Sequence, residues 1–183
     1  MELISQMANS VRIYNINVCY EQTHVIFKAA RESNMTVLMG LWMEGGNPEV
    51  FEGELSALPE FMDLYGDIIE YVIVGNEPLF IEEIELDVVV DAVARVKEIL
   101  KAEGHPHKVS VAEVWPTIES EIGPEFVSHL DFVCMNMQPY WEGFYAECPA
   151  NMTDCVPAGK PIENLTDQGD EVVSCCFRTV YSS

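Results

Sequence analysis

YVIVGNEP, Tyr71 to Pro78, is an apolar run that ends in an amide, a carboxylate and a proline. Its first six residues are rich in β-formers and carry no charge, the pattern of a strand buried on both faces. The segment that follows reads as an amphipathic helix. DVVVDAVARVKEILKAEG sets Val89, Val93, Val96 and Leu100 on one inner face and stops at Gly104. Before Tyr71, residues 49–65 repeat Phe51, Leu55, Leu58, Met62 and Tyr65 at helical steps, with Pro59 expected to kink or divide the helix. Earlier still, TVLMGLW (Thr36–Trp42) is a second buried strand. The stretch before it, EQTHVIFKAARESN, reads as a helix with Val25, Ile26, Ala29 and Ala30 on one face and Asn34 as its stop. VRIYNI (Val11–Ile16) opens the series.

Past Gly104 the alternation continues. KVSVAEVW (Lys108–Trp115) reads as a strand, residues 118–129 as a helix and DFVCMN (Asp131–Asn136) as a strand. A loop with Pro139, Pro149 and Pro157 follows, then KPIENL (Lys160–Leu165) as a candidate last strand. The tail from Asp170 shows no clear periodicity. Such alternation specifies an α/β fold with a parallel sheet. Two architectures compete. A doubly wound sheet fits the length. A (β/α)₈ barrel typically takes ~250 residues, so this chain would supply five or six of its units. GLWMEGGNP holds a glycine pair but neither GxGxxG nor GxxxxGK[ST], and no phosphate loop follows the first strand, which weakens the nucleotide-binding option.

The 183 residues carry 31 Asp+Glu against 9 Lys+Arg, a formal charge of −22, with 49% hydrophobic residues. The apolar share is enough for a sizeable core, and the charge sits among regular apolar runs rather than replacing them. Charge of this sign repels phosphate backbones and anionic lipid, so neither nucleic acid nor membrane is expected as a partner. No apolar run reaches the ~18 residues of a spanning helix. MELISQMANSVRIY does not read as a signal peptide, which leaves a cytosolic protein or a chain that begins inside a longer precursor. Cys19, Cys134, Cys148, Cys155, Cys175 and Cys176 form no CxxC pair, and the four histidines form no HExxH, so no metal or cofactor is expected. Sequons at Asn34, Asn151 and Asn164, with Cys148 and Cys155 in a polar loop, tilt the reading toward an exported protein.

Parallel α/β proteins place function at the C-terminal ends of their strands. Here the first strand ends near Tyr14 and Asn17, the second at Trp42 and the third at Asn76-Glu77. The fourth ends at Glu113 and Trp115, the fifth at Asn136, followed by Tyr140 and Trp141. Aromatic faces stack on the C–H faces of sugars, and amides and carboxylates bind hydroxyls, so the set suits a polysaccharide cleft. The alternative is that these aromatics close the barrel end or pack against helices. Glu77 stands out, because a carboxyl desolvated at a sheet edge holds its proton toward neutral pH, as a general acid requires. The alternative for it is a solvated loop glutamate. No G-x-S-x-G elbow occurs.

VRIYNINVCY, AARESNMTVLMGLW, YVIVGNEPLF, KVSVAEVW and DFVCMNMQPYW, in this order, resemble glycoside hydrolase family seventeen over roughly residues 8–145. Within that family the likeness is to fungal cell-wall β-1,3-glucanases and glucanosyltransferases. The resemblance implies a (β/α)₈ TIM barrel in which VRIY is the second strand and YVIVGN the fourth. Strands two to six are then clear, the seventh doubtful, and the first strand and eighth unit missing. It implies an incomplete barrel domain over 1–169 and a divergent tail over 170–183. It further implies a β-glucan substrate, a secreted or cell-wall location and a retaining mechanism. Two carboxyls then stand about 5–5.5 Å apart, with Glu77 as the acid/base. Tyr14, Trp42, Asn76, Trp115, Asn136, Tyr140 and Trp141 become the expected substrate contacts. The family nucleophile is a glutamate in a T-E-T-G-W-like motif. GKPIENLTDQGDE begins correctly but lacks that motif, leaving Asp167 as the nearest candidate and an enzyme expected to be impaired. A glucan-binding or wall-structural protein without turnover is the other expectation.

Overall fold

The computed structural model describes residue 1 and residues 3–81, 83–136 and 172–174. A short 3₁₀ turn, Ile4–Gln6, leads into β1 (Ser10–Ile13), α1 (Tyr20–Glu32), β2 (Thr36–Leu41), α2 (Pro48–Tyr65) and β3 (Ile69–Asn76). Then come α3 (Leu86–Ala102), β4 (Val109–Val114), α4 (Trp115–Glu119), α5 (Gly123–Ser128), β5 (Val133–Asn136) and β6 (Val172–Ser174). The strands form one sheet in chain order, every neighbouring pair parallel. No strand-order reversal exists among them, so the doubly wound alternative falls. The sheet is also curled. Arg12 on β1 donates to Asn136 on β5 at 2.9 Å, although four strand spacings would separate them by roughly 19 Å in a flat sheet. Curling of a parallel, sequentially ordered sheet makes a partial TIM-barrel wall.

Alternation along each strand divides the side chains between two faces. Val37, Met39, Val72, Val74, Val111 and Met135 point outward into the main core, where the helices cover them. Ile73, Ala112, Phe132 and Cys134 form a smaller cluster on the inward face, with Tyr71 against it. The helical periodicities hold for α2 and α3. Phe51, Leu55, Leu58, Met62 and Tyr65 are all buried, as are Val89, Val93, Val96 and Leu100.

Five expectations need correction. Helix α1 buries Thr23, Phe27 and Ala30 rather than the Val25–Ile26 face, and Val25 is 66% exposed. Phe27 decides this, because its ring packs edge-on against Phe61 and beside Tyr65 of α2, and an aromatic buries more surface than a valine. Pro59 does not divide α2, which runs unbroken from Pro48 to Tyr65. The buried side chains on both sides of it outweigh the roughly 3 kcal/mol of an interior proline. The expected helix at 118–129 is two helices, each with a proline in its first turn. A Cβ at Gly123 would lie 1.9 Å from the Ile118 carbonyl oxygen, so this tight join needs glycine. The first strand ends at Ile13, not Ile16, and strand β6 lies where the sequence showed no periodicity. The candidate strand at 160–165 lies outside the described residues, as do Tyr140, Trp141 and Asp167. Asn34 does take the positive φ, 54°, that suits a chain leaving a helix. No helix among the described residues is long and apolar enough to cross a membrane.

Candidate active site

Three strands deliver polar side chains to one place at their C-terminal ends. Arg12 of β1 donates through Nη2 to Asn76 Oδ1 at 2.9 Å and through Nη1 to Asn136 Oδ1 at 2.9 Å. Asn136 of β5 donates through Nδ2 to the same Asn76 oxygen at 3.0 Å and to Glu77 Oε1 at 2.6 Å. The Arg12 guanidinium also lies over the Tyr14 ring, 4.6 Å from its centroid. Tyr14 is 49% exposed, whereas Glu77 is only 5% exposed. The result is a buried carboxyl fixed by an amide, with an open aromatic face beside it.

Backbone geometry aims Glu77 into this cluster. The β3–β4 register shifts between Ile73 and Asn76, as at a bulge that redirects a side chain. Gly75 and Glu77 both take positive φ, 71° and 56°. A left-handed glutamate is an uncommon conformation that surrounding contacts must hold. Here the Glu77 N–H donates to the Ala112 carbonyl at 2.7 Å, and its own carbonyl accepts from Ile81 at 2.8 Å. Glycine at 75 also leaves room for Pro78, whose Cγ would sit 3.1 Å from a Cβ there.

Two further carboxyls are buried nearby. Glu113 of β4 has no exposed surface. Burial pushes it up to about 8; the Thr117 hydroxyl favours the charged form, and the charge of Glu77 opposes it. Thr117 and the amides of Phe80 and Val114 approach Glu113, but none reaches hydrogen-bonding geometry. Glu54 of α2 is equally enclosed, and burial pushes it up to about 7. It accepts from the Ile16 amide at 2.7 Å and from the Asn17 amide at 3.2 Å. This ties the loop after β1, which carries Tyr14, to α2. Gly53 keeps the approach clear, since a Cβ there would meet Asn17 Nδ2 at 2.4 Å.

Of the residues expected at the site, Tyr14, Asn76, Glu77 and Asn136 come together around Arg12. Trp42 follows β2 on the inward parity of Leu38 and Gly40, half-buried. Trp115 opens α4 and, partly buried, packs against the main core. Sequence reasoning missed Arg12 and Glu54 as site or support residues, and it marked Glu113 only as the end of the fourth strand. Arg12 did carry a signal, as a cation on the inward parity of an otherwise β-forming run. A cavity of ≈ 280 Å³ lies elsewhere, between α2 and α3, lined by Met43, Phe51, Ile84, Val88 and the Glu52–Arg95 ion pair, and touches none of these residues. Among the described residues no group of three His, Cys, Asp or Glu side chains is placed to hold a metal ion.

A glucan 1,3-beta-glucosidase of Schizosaccharomyces pombe (strain 972 / ATCC 24843) is 24% identical over 156 residues, 84% of this chain and 47% of that relative. The glycoside hydrolase family 17 beta-1,3-glucanosyltransferase of Rhizomucor miehei superposes with a TM-score of 0.61 at 29% identity. The match covers 74% of this chain and 48% of that one. Its active-site mutant in complex with laminaritriose superposes equally well. An endo-laminarinase from Formosa shares the fold, with a TM-score of 0.65 at 17% identity over 78% of this chain and 44% of that chain. The chain thus spans about half the length of the relatives it matches. Residues 1–176 match the model of the BtgE/BtgC glycoside hydrolase domain, and the chain belongs to that family, of the glycoside hydrolase family 17 type.

Proposed function

We propose that this chain processes β-1,3-linked glucan through a retaining, two-carboxylate mechanism in which Glu77 is the proton donor. The observation that carries the reading is the Asn136–Glu77 hydrogen bond at 2.6 Å, inside a cluster that Arg12 ties across the curled sheet. Glu77 delivers a proton to the leaving glycosidic oxygen and later takes one from the incoming water or sugar hydroxyl. Asn136 orients the carboxyl, and Asn76 binds a sugar hydroxyl. Tyr14 and Trp42 offer stacking faces, with Tyr140 and Trp141 extending them and Trp115 supporting the rim from the core side. The substrate implies a secreted or cell-wall setting.

Asp167 is the proposed nucleophile, and it favours slow turnover. Aspartate is one methylene shorter than glutamate, and a misplacement of about 1 Å can cost on the order of 100-fold in rate. The same substitution favours a second reading, a glucan-binding protein with little or no turnover. Laminarin turnover and laminaritriose binding by the wild type, Glu77→Gln and Asp167→Asn test both. Weak turnover abolished by either change supports the mechanism, and binding without turnover supports the second reading. Turnover that survives Glu77→Gln removes the proton-donor assignment, and absence of binding removes the glucan reading.

A further inference from the structure

Glu113 is a buried titratable group for which this chemistry has no use. It has no exposed surface, and neither carboxyl oxygen has a hydrogen-bond partner among the described residues. A charge there would be desolvated with little to compensate it. The preceding residue, Ala112, supplies the carbonyl that accepts the Glu77 N–H at 2.7 Å, so the two carboxyls flank one hydrogen bond at the β3–β4 register shift. The groups that act on Glu113 come from each element packed on it. They are the charge of Glu77 from the end of β3, the Thr117 hydroxyl from α4, the Phe80 amide from the loop before α3 and the Val114 amide of its own strand.

We propose that Glu113 is a positioning residue for Glu77: a buried carboxyl beside the Ala112 carbonyl that fixes the Glu77 backbone, whose neutral form keeps a second charge away from the turn when Glu77 gives up its proton. The role rests on reading Glu77 as the proton donor. A donor passes through its charged form in every cycle, and two adjacent carboxyls repel when both ionise. A neutral Glu113 spares Glu77 that repulsion. When both are charged, the repulsion falls on the turn that aims Glu77.

The test compares unfolding midpoints of wild type, Glu113→Gln, Glu77→Gln and the double variant across pH. Glutamine imitates the neutral acid. The folded protein holds the Glu113 proton up to about 8 against 4.5 in the unfolded chain. Stability from this group is therefore full below about 4.5 and is lost as pH rises to about 8. The midpoint of Glu113→Gln should gain on wild type across that window, and gain less on the Glu77→Gln background. A gap independent of pH, or the same gain on both backgrounds, overturns the proposal. If Glu113→Gln does not fold, the carbon-13 carboxyl signal of Glu113 decides. Titration near 8 that moves down in Glu77→Gln supports the pairing, and titration in the ordinary carboxyl range overturns it. Laminaritriose affinity supplies the positioning readout. Wild type should weaken several-fold as Glu113 charges and Glu113→Gln should weaken less; an equal loss overturns the proposal. A wild type that binds no laminaritriose at any pH removes the glucan reading alone, and the titrations still decide the pairing.

Discussion

The two faces of the sheet are built on different physics. The outward face is a continuous apolar layer of valine, methionine and leucine under α1, α2 and α3. The inward face combines a small cluster, Ile73, Ala112, Phe132 and Cys134, with the polar group of Arg12, Asn76, Glu77 and Asn136 at its C-terminal end. Burial on the outward side is non-directional and scales with area. On the inward side each contact depends on a particular donor meeting a particular acceptor. Stability should therefore respond most to changes outside, and the proposed glucan processing to changes inside.

Phe61→Ala should break the outward layer most severely. Phe61 is fully buried among Phe27, Tyr65, His24 and Tyr20, and its truncation should cost about 3–5 kcal/mol in urea unfolding. A loss below about 1 kcal/mol would show that the layer repacks and would blur the contrast. Arg12→Met should cost less stability, about 2–3 kcal/mol for charge-assisted hydrogen bonds, while laminarin turnover or laminaritriose binding falls on the order of 100-fold. Loss of stability without loss of function would make Arg12 a structural residue and erase the division.

Glu54→Gln sharpens the contrast through pH. Burial holds Glu54 up to about 7, above 4.5 in the unfolded chain. Its stabilising share is complete below about 4.5 and disappears as pH climbs to about 7. The variant should lie within about 1 kcal/mol of wild type, below it in acid because one acceptor is lost, with the gap closing toward neutrality. Thermal midpoints across that range would show it, and a gap that widens with pH would contradict the burial argument. Tyr14→Ala should be the mildest, about 0.5–1 kcal/mol for an exposed cation–π contact, yet it should weaken laminaritriose binding measurably. Unchanged binding would remove Tyr14 from the proposed cleft.

The outward face was legible in the sequence because its rule is periodic. Leu55, Leu58 and Met62, and Val89, Val93 and Val96, announce a helix face without knowledge of any partner. The α1 face misled because two adjacent β-branched residues outnumbered one phenylalanine, and only the position of Phe61 on α2 settles which side is buried. Asn76, Glu77 and Asn136 were legible as strand-end residues. Their mutual hydrogen bonds were not, nor was the central place of Arg12, because these depend on the curl of the whole sheet. Glu54 looks like any other carboxylate in a chain of charge −22, and Glu113 was legible only as a strand-end residue; enclosure by distant segments sets both apart.

The strictly sequential order of the strands has a kinetic consequence. Each strand from β2 to β5 finds its neighbour already synthesised, so the wall can grow one strand at a time from the N-terminus with short loop closures. The link between Arg12 and Asn136 is different, joining residues 124 apart in sequence. It cannot form until the fifth strand arrives. During synthesis the outward layer can consolidate while the carboxylate cluster is still open, and in the finished protein that cluster is a place where opening need not disturb the rest. Amide exchange should accordingly find the Asn76–Glu77 turn less protected than the centre of β3.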